Sequence, residues 1–250
     1  GYHDVPGVSI AVFYPSHGTS EIQRLQMVTQ EGRNVAVYAV KGNFDDAQTG
    51  VKRVFGDKQI AQKLEAENIR LSSANSINWG RLVPQIVYYF ASYFQLVNTG
   101  KITMGERVDY CVPTGNFGDI LAGYYAKRMG LPVGTLVCAS NRNNVLTDFI
   151  STGTYDARRE FHRTTSPSMD ILVSSNLERL LFHAAGSDKA VAGYMNELNQ
   201  NGVYTVSPEV LAVIRENFAC GCASDEEVAA EIKARYEQDH YLCDTHTAVA

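Results

Sequence analysis

The sequence predicts an α/β protein built around mainly parallel sheet. Short apolar runs alternate with amphipathic stretches almost throughout, and the connections between runs are long enough for helical crossovers. The stretch PTGNFGD, residues 113–119, adds a third observation: its two glycines flank Asn116 and Phe117 where a chain would leave a strand and enter a helix. A hydrophobic content of 45% and a charged content of 20% are ordinary for a globular chain. At 250 residues there is room for one large or two small cores.

The elements follow in order. Residues 8–14 (VSIAVFY) read as a buried strand, 15–19 as a turn, and 20–31 as a helix with Ser20 at its N-cap and Gln23 in the capping-box position. Residues 34–40 (NVAVYAV) form a second strand, followed by Gly42-Asn43 and a helix over 45–55. A short third strand is expected at 69–73. A long helix rich in Tyr, Phe and Val spans 81–98, bridging a small first unit (1–80) and a larger second one (81–250). Residues 107–112 (RVDYCV) lead as a strand into the glycine loop. The helix over 119–129 is closed by Gly130 and followed by Pro132. Another strand falls at 136–139, and helices at 144–151, 176–185, 190–200, 208–218 and 226–240. The polar stretch 152–168 reads as a surface loop or lid.

Composition excludes several functions. The net charge is −5, and the 14 Arg and 8 Lys are scattered without a basic run, which argues against nucleic-acid binding. No apolar stretch reaches membrane-span length, and GYHDVPG has no signal-peptide pattern. Five cysteines, an odd number without framework spacing, suggest reduced thiols and a cytoplasmic location. Cys220-Gly221-Cys222 reads as a helix-terminal turn; no second Cys or His pair lies near enough to make a metal site, so none is expected.

The glycine loop is either a tight turn or an anion cradle. A helix N-terminus carries a partial positive charge of roughly half an electron unit and unpaired N–H groups, and glycine lets backbone approach an anion closely. The loop lacks the third glycine of a dinucleotide fingerprint and the Gly-Lys-Ser/Thr of a triphosphate loop, so a single phosphate fits best.

Those residues carry a family resemblance. PTGNFGDILAGYYAKRMGLP (113–132) resembles the cofactor-phosphate loop and following helix of threonine synthases, pyridoxal phosphate enzymes of the β-family or fold type II. YPSHGTSEIQRLQM (14–27), VKGNFDDAQ (40–48), SANSINWGRLVPQIVYYF (73–90), SNRNNVLTDFISTGTY (140–155), TTSPSMDILVSSNLERLLF (164–182) and DTHTAVA (244–250) agree in the same order. The resemblance implies a small and a large α/β domain.

It further implies that Gly115, Asn116, Phe117, Gly118 and Asp119 hold the phosphate of pyridoxal 5'-phosphate, with Asp119 favoured at the helix N-terminus. Thr247 would face the pyridine nitrogen. The family's Asp-Pro-His-Thr-Ala reads Asp244-Thr245-His246-Thr247-Ala248 here, so Thr245 offers a second hydroxyl, and His246 is expected to be packed and hydrogen-bonded. Ser76, Asn78 and Arg81 would hold the phosphate of the substrate O-phosphohomoserine, with Asn116 also facing it. Trp79 is expected in packing. The implied reaction converts O-phosphohomoserine and water to threonine and phosphate by γ-elimination and β-replacement. A phospho-lyase or dehydratase of the same fold, or a silent phosphate-binding relative, is the alternative.

The chemistry needs a lysine to hold the cofactor as a Schiff base. None of the eight lysines (41, 52, 58, 63, 101, 127, 189 and 233) lies in a segment resembling the family's lysine motif, and GYHDVPG resembles sequence just downstream of that motif. The expectation is a fragment lacking the N-terminal part, inactive by itself.

Overall fold

The computed structural model describes residues 2–16, 21–42, 44–73 and 78–250, the side chains of 22, 23, 44, 45 and 48 excepted. It divides into two compact units, Gly1–Ser72 and Ser73–Ala250.

In the first unit, the Val/Ala/Tyr-rich strands β1 (Ile10–Pro15) and β2 (Val35–Val40) pair in parallel, from Ile10 opposite Val35 to Pro15 opposite Val40. Helix α1 (Glu21–Val28) lies between them in sequence, and α2 (Phe44–Gly56) and α3 (Lys58–Ala66) follow. Ser20 and Asn43, assigned from sequence to a cap and a turn, lie outside the described residues. α3 was not expected. It starts because Asp57 Oδ1 accepts from the backbone N–H groups of Gln59 (2.8 Å) and Ile60 (3.1 Å), an N-cap that also sets α3 apart from α2. The strand expected at 69–73 is absent: Ile69 and Leu71 are exposed, and the segment has no partner strand.

The second unit opens with α4 (Trp79–Asn98), which buries Leu82, Ile86, Tyr89 and Tyr93 at alternating spacings of four and three. Strands β3 (Val108–Pro113) and β4 (Val133–Ser140) flank α5 (Gly118–Arg128) in sequence. There follow α6 (Val145–Thr152), β5 (Thr154–Asp156), a single 3-10 turn (Pro167–Met169), α7 (Leu177–Ala185), α8 (Asp188–Asn201), β6 (Val203–Thr205) and α9 (Pro208–Arg215). β7 (Phe218–Cys222), α10 (Asp225–Asp239) and α11 (Thr245–Val249) complete the unit. The sheet order is β3-β4-β7, all parallel, while β5 and β6 form an antiparallel pair. The α/β expectation holds.

α5 is buried along most of its length, and Gly123 explains how α4 meets it. A Cβ there would stand 2.6 Å from the Tyr89 ring and 2.9 Å from Leu136 Cδ2. Two expectations need correction. The helix expected over 208–218 ends at Arg215, and Cys220-Gly221-Cys222 lies inside β7, opposite Cys138, Ala139 and Ser140 of β4, rather than in a helix-terminal turn. The stretch 152–168 also contains β5. All five cysteines are free, and among the described residues no cluster of His, Cys, Asp or Glu is arranged to hold a metal. Among them, too, no helix is long and apolar enough to cross a membrane.

Candidate functional site

The carboxyl ends of β3 and β4, where ligands of open parallel sheets bind, carry the glycine loop. Thr114 continues the ladder past β3: its N–H donates to the Ala139 carbonyl (2.8 Å), and its hydroxyl donates back to Val112 O (2.6 Å). α5 begins at Gly118, and no side chain caps it; the N-cap residue, Phe117, sits in the left-handed region at φ 60°. Its side chain is buried, 5.5 Å from the Phe218 ring. The ring therefore anchors in the core while the backbone turns sharply into the helix, leaving an uncapped N-terminus suited to an anion. At the end of the central strand, opposite Cys222 of β7, Ser140 is buried.

Asp119 lies in the first turn of α5. The Tyr89 hydroxyl donates to its backbone carbonyl (2.9 Å) and reaches its Oδ1 (3.3 Å). Close packing around the carboxyl raises the Asp119 pKa, and the Tyr89 hydrogen bond pulls the other way. Burial, with Asp119 as neighbour, pushes the Tyr89 phenol far above its ordinary value, so it stays protonated as the donor.

The rest of the loop is gripped by residues 164–176. The Ser174 hydroxyl donates to Gly115 O (3.1 Å), and Asn176 Nδ2 to Asn116 O (2.9 Å). Asn116 Oδ1 accepts from both the N–H and the hydroxyl of Ser175, each at 2.8 Å. None of these serines had been assigned a role from sequence. Three consecutive short polar residues, SSN, at the mouth of a helix are the signal available there.

The same segment meets α11. The Thr245 hydroxyl donates to Thr165 O (2.7 Å), and the Ser168 N–H donates to His246 Nε2 (3.2 Å). His246 Nδ1 lies 3.2 Å from Asp244 Oδ1, so both ring nitrogens are engaged, as expected for a packed histidine. The Thr247 hydroxyl donates to Asp244 Oδ2 (2.6 Å), and this bond holds the Asp244 carboxyl down at a pKa of about 2. Thr247 also lines a hollow of about 430 Å³ with residues of β7, α10 and α11; the 115–119 loop is not among its walls. Residues 164–176 thus join the loop to the start of α11, and the hollow is walled by Thr247 but not by the loop.

Of the residues assigned to a substrate phosphate, Ser76 lies outside the described residues. Asn78 is the N-cap of α4: its Oδ1 accepts from Gly80 N–H (3.0 Å) and its Nδ2 donates to Ser73 O (2.8 Å). Arg81 is exposed in the first turn of the same helix. Trp79 meets Tyr125 edge-on at 5.2 Å, with the Arg179 guanidinium 6.0 Å from its ring, which is packing at a partly exposed site.

Known proteins resemble this chain along nearly its whole length. No family model matches the sequence. Human threonine synthase-like 1 is 43% identical over 251 residues, covering 99% of this chain and 34% of that protein. The threonine synthase of Schizosaccharomyces pombe is 42% identical over 263 residues, covering 97% of this chain and half of that one. A crystal structure of pyridoxal phosphate-bound threonine synthase from Brucella melitensis superposes with a TM-score of 0.83 at 43% identity, over 96% of this chain and 50% of that one. The chain is similar to threonine synthases along nearly its whole length. It spans between a third and a half of the length of these relatives, so its threonine synthase features are those of one part of the family's sequence.

Proposed function

We propose that this chain supplies the cofactor-phosphate cradle and part of the substrate site of a pyridoxal phosphate-dependent threonine synthase acting on O-phosphohomoserine. The observation that carries the reading is the uncapped N-terminus of α5, opened by the left-handed Phe117 at the end of a parallel strand. That donor set fits one phosphate: backbone N–H groups and the helix dipole face a single anion, and there is no lysine within the loop. The likeness to a synthase with pyridoxal phosphate bound supports the same choice.

In this reading, Gly115 to Asp119 hold the cofactor phosphate, and Asp119, turned to Tyr89, supports the helix terminus. Thr247 faces the pyridine nitrogen as a neutral partner whose hydroxyl proton is already given to Asp244. Ser76, Asn78, Arg81 and Asn116 address the substrate, with the Arg81 fork matched to phosphate oxygens. The cofactor, once bound, supplies an electron sink for charge developing at the substrate's Cα and Cβ. The chain's own contribution is anion binding, orientation and exclusion of water.

A second reading rests on the near-equal identity to threonine synthase-like 1 (43%) and to a fungal synthase (42%): the same fold acting on a different phosphorylated hydroxy amino acid. Phosphate release from O-phosphohomoserine and from O-phosphothreonine, measured on the polypeptide carrying this chain, separates the two. Release from the first, with Arg81→Ala raising KM about tenfold or more, is the expected result. Release only from the second replaces the assignment, and release from neither overturns both.

A further inference from the structure

We propose that residues 164–176 act as a brace that aims the phosphate-binding amides, and that Asp170 is its positioning residue. The inference rests on the reading of the 115–119 loop as a phosphate cradle and names the residues that set its geometry.

Asp170 collects four donors. Its Oδ1 accepts from Asn141 Nδ2 (2.8 Å), Asn143 Nδ2 (3.0 Å) and the Thr164 hydroxyl (2.7 Å), and its Oδ2 accepts from the Thr164 N–H (3.0 Å). Asn141 and Asn143 are buried in the connection from β4 to α6, and they tie to each other through Asn143 N–H to Asn141 Oδ1 (2.9 Å). Asn143 also exchanges hydrogen bonds with the His162 backbone, donating at 2.8 Å and accepting at 2.9 Å. A carboxylate so saturated, among buried amides, fixes one conformation, because any other leaves several buried donors unpaired. A second pin lies at Tyr155, whose hydroxyl donates to Leu172 O (2.9 Å) and accepts from Ser174 N–H (2.8 Å).

Between and beyond these pins the brace meets the loop. On one side of Asp170, the Ser168 and Met169 backbone packs against Gly115 so closely that a Cβ there would lie 2.9 Å from Ser168 O. On the other side, Ser174 and Asn176 take the carbonyls of Gly115 and Asn116. In a trans peptide the C=O and the following N–H point in opposite directions. Holding those two carbonyls toward the brace therefore turns the N–H groups of Asn116 and Phe117 away from it, beside the uncapped N-terminus of α5. The brace determines which way the cradle faces.

The test titrates the 15N-labelled 250-residue chain with inorganic phosphate and with pyridoxal phosphate, following the amides of residues 116–120. The comparison is between the wild type, Asp170→Asn, Ser174→Ala and Val210→Ala, the last a buried α9 residue outside the brace chosen to lower Tm without touching the loop. The expected result is saturable shifts in the wild type, dissociation constants raised about tenfold in Asp170→Asn and several-fold in Ser174→Ala, and an unchanged constant in Val210→Ala despite its lower Tm. If Asp170→Asn does not fold, Ser174→Ala, which removes one hydroxyl, decides the matter. Wild-type shifts with unaltered constants in the brace variants overturn the brace alone. A loss in Val210→Ala equal to that in the brace variants reduces the effect to general stability and also overturns it. No shift at 116–120 in the wild type removes the cradle reading and the brace together.

Discussion

A methyl group on Gly115 would lie 2.9 Å from the Ser168 carbonyl oxygen and 3.0 Å from Met169 Cα, both backbone atoms with nowhere to go. Gly115→Ala should therefore cost about 1–3 kcal/mol through overpacking, read as a lower denaturation midpoint with an unchanged m-value. Unaltered stability would show that the brace yields freely. The sequence marked this loop by its glycines, yet the left-handed residue is Phe117, which no propensity rule selects; its buried ring holds the backbone there. The loop's position was legible because strand, glycines and helix are local in sequence. The serines that grip it were not, because Ser174 and Gly115 are 59 residues apart and only folding joins them. Asp244 offers a pH test at the same scale. Its pKa is lowered from 3.8 to about 2, chiefly by the Thr247 hydroxyl, so the fold favours the ionised form. Its contribution to α11 is complete above the unfolded value and drains away as pH falls toward 2. A carboxyl titration by 13C NMR should find a midpoint near 2; a midpoint at the ordinary carboxylate value would mean the Thr247 bond does not persist in solution.

Helix ends divide into those closed by a side chain and those left without one. α10 has a complete capping box: Ser224 Oγ accepts from Glu227 N–H (3.2 Å), and Glu227 Oε2 accepts from Ser224 N–H (2.8 Å). Ser224→Ala should lower stability by about 1 kcal/mol, measurable by chemical denaturation; a change indistinguishable from zero would show that solvent replaces the cap. α5, central and far more buried, has no such side chain; α6 and α7 lack one too, and what sets α5 apart is its left-handed N-cap, Phe117, at the end of a parallel strand. β7 was the element hardest to foresee. FACGC has no β-branched residue and is separated from α9 by only two residues, so the helical pattern reads on to Phe218 and Cys220-Gly221-Cys222 reads as its terminal turn. Its strand character comes from pairing with β4, a partner distant in sequence. α3 was missed although its cap, Asp57, is local and Ile60 and Leu64 sit at helical spacing; the segment is polar overall and buries none of its residues.

The two units differ in how much core they own, and this sets the order in which they should open. In the second, one cluster joins α4, α5, β3, β4, α6, α7, β6, α9 and β7 around fully buried residues such as Tyr93, Leu136 and Phe149. In the first, only Pro15 and Ala47 are buried among the residues whose side chains are described, and Phe13 and Tyr38 stack 5.3 Å apart while about half exposed. A two-stranded parallel sheet with so little apolar burial gains little against the conformational entropy of ordering it. The chain should not unfold in a single transition. Amide exchange in β1 and β2 should run at least about a hundredfold faster than in β3 and β4, because local opening costs far less where few apolar contacts are lost. Limited proteolysis should cut before residue 73 while the second unit stays intact. Equal protection of the two sheets would contradict this picture and would mean that the first unit draws on stability beyond its own side chains.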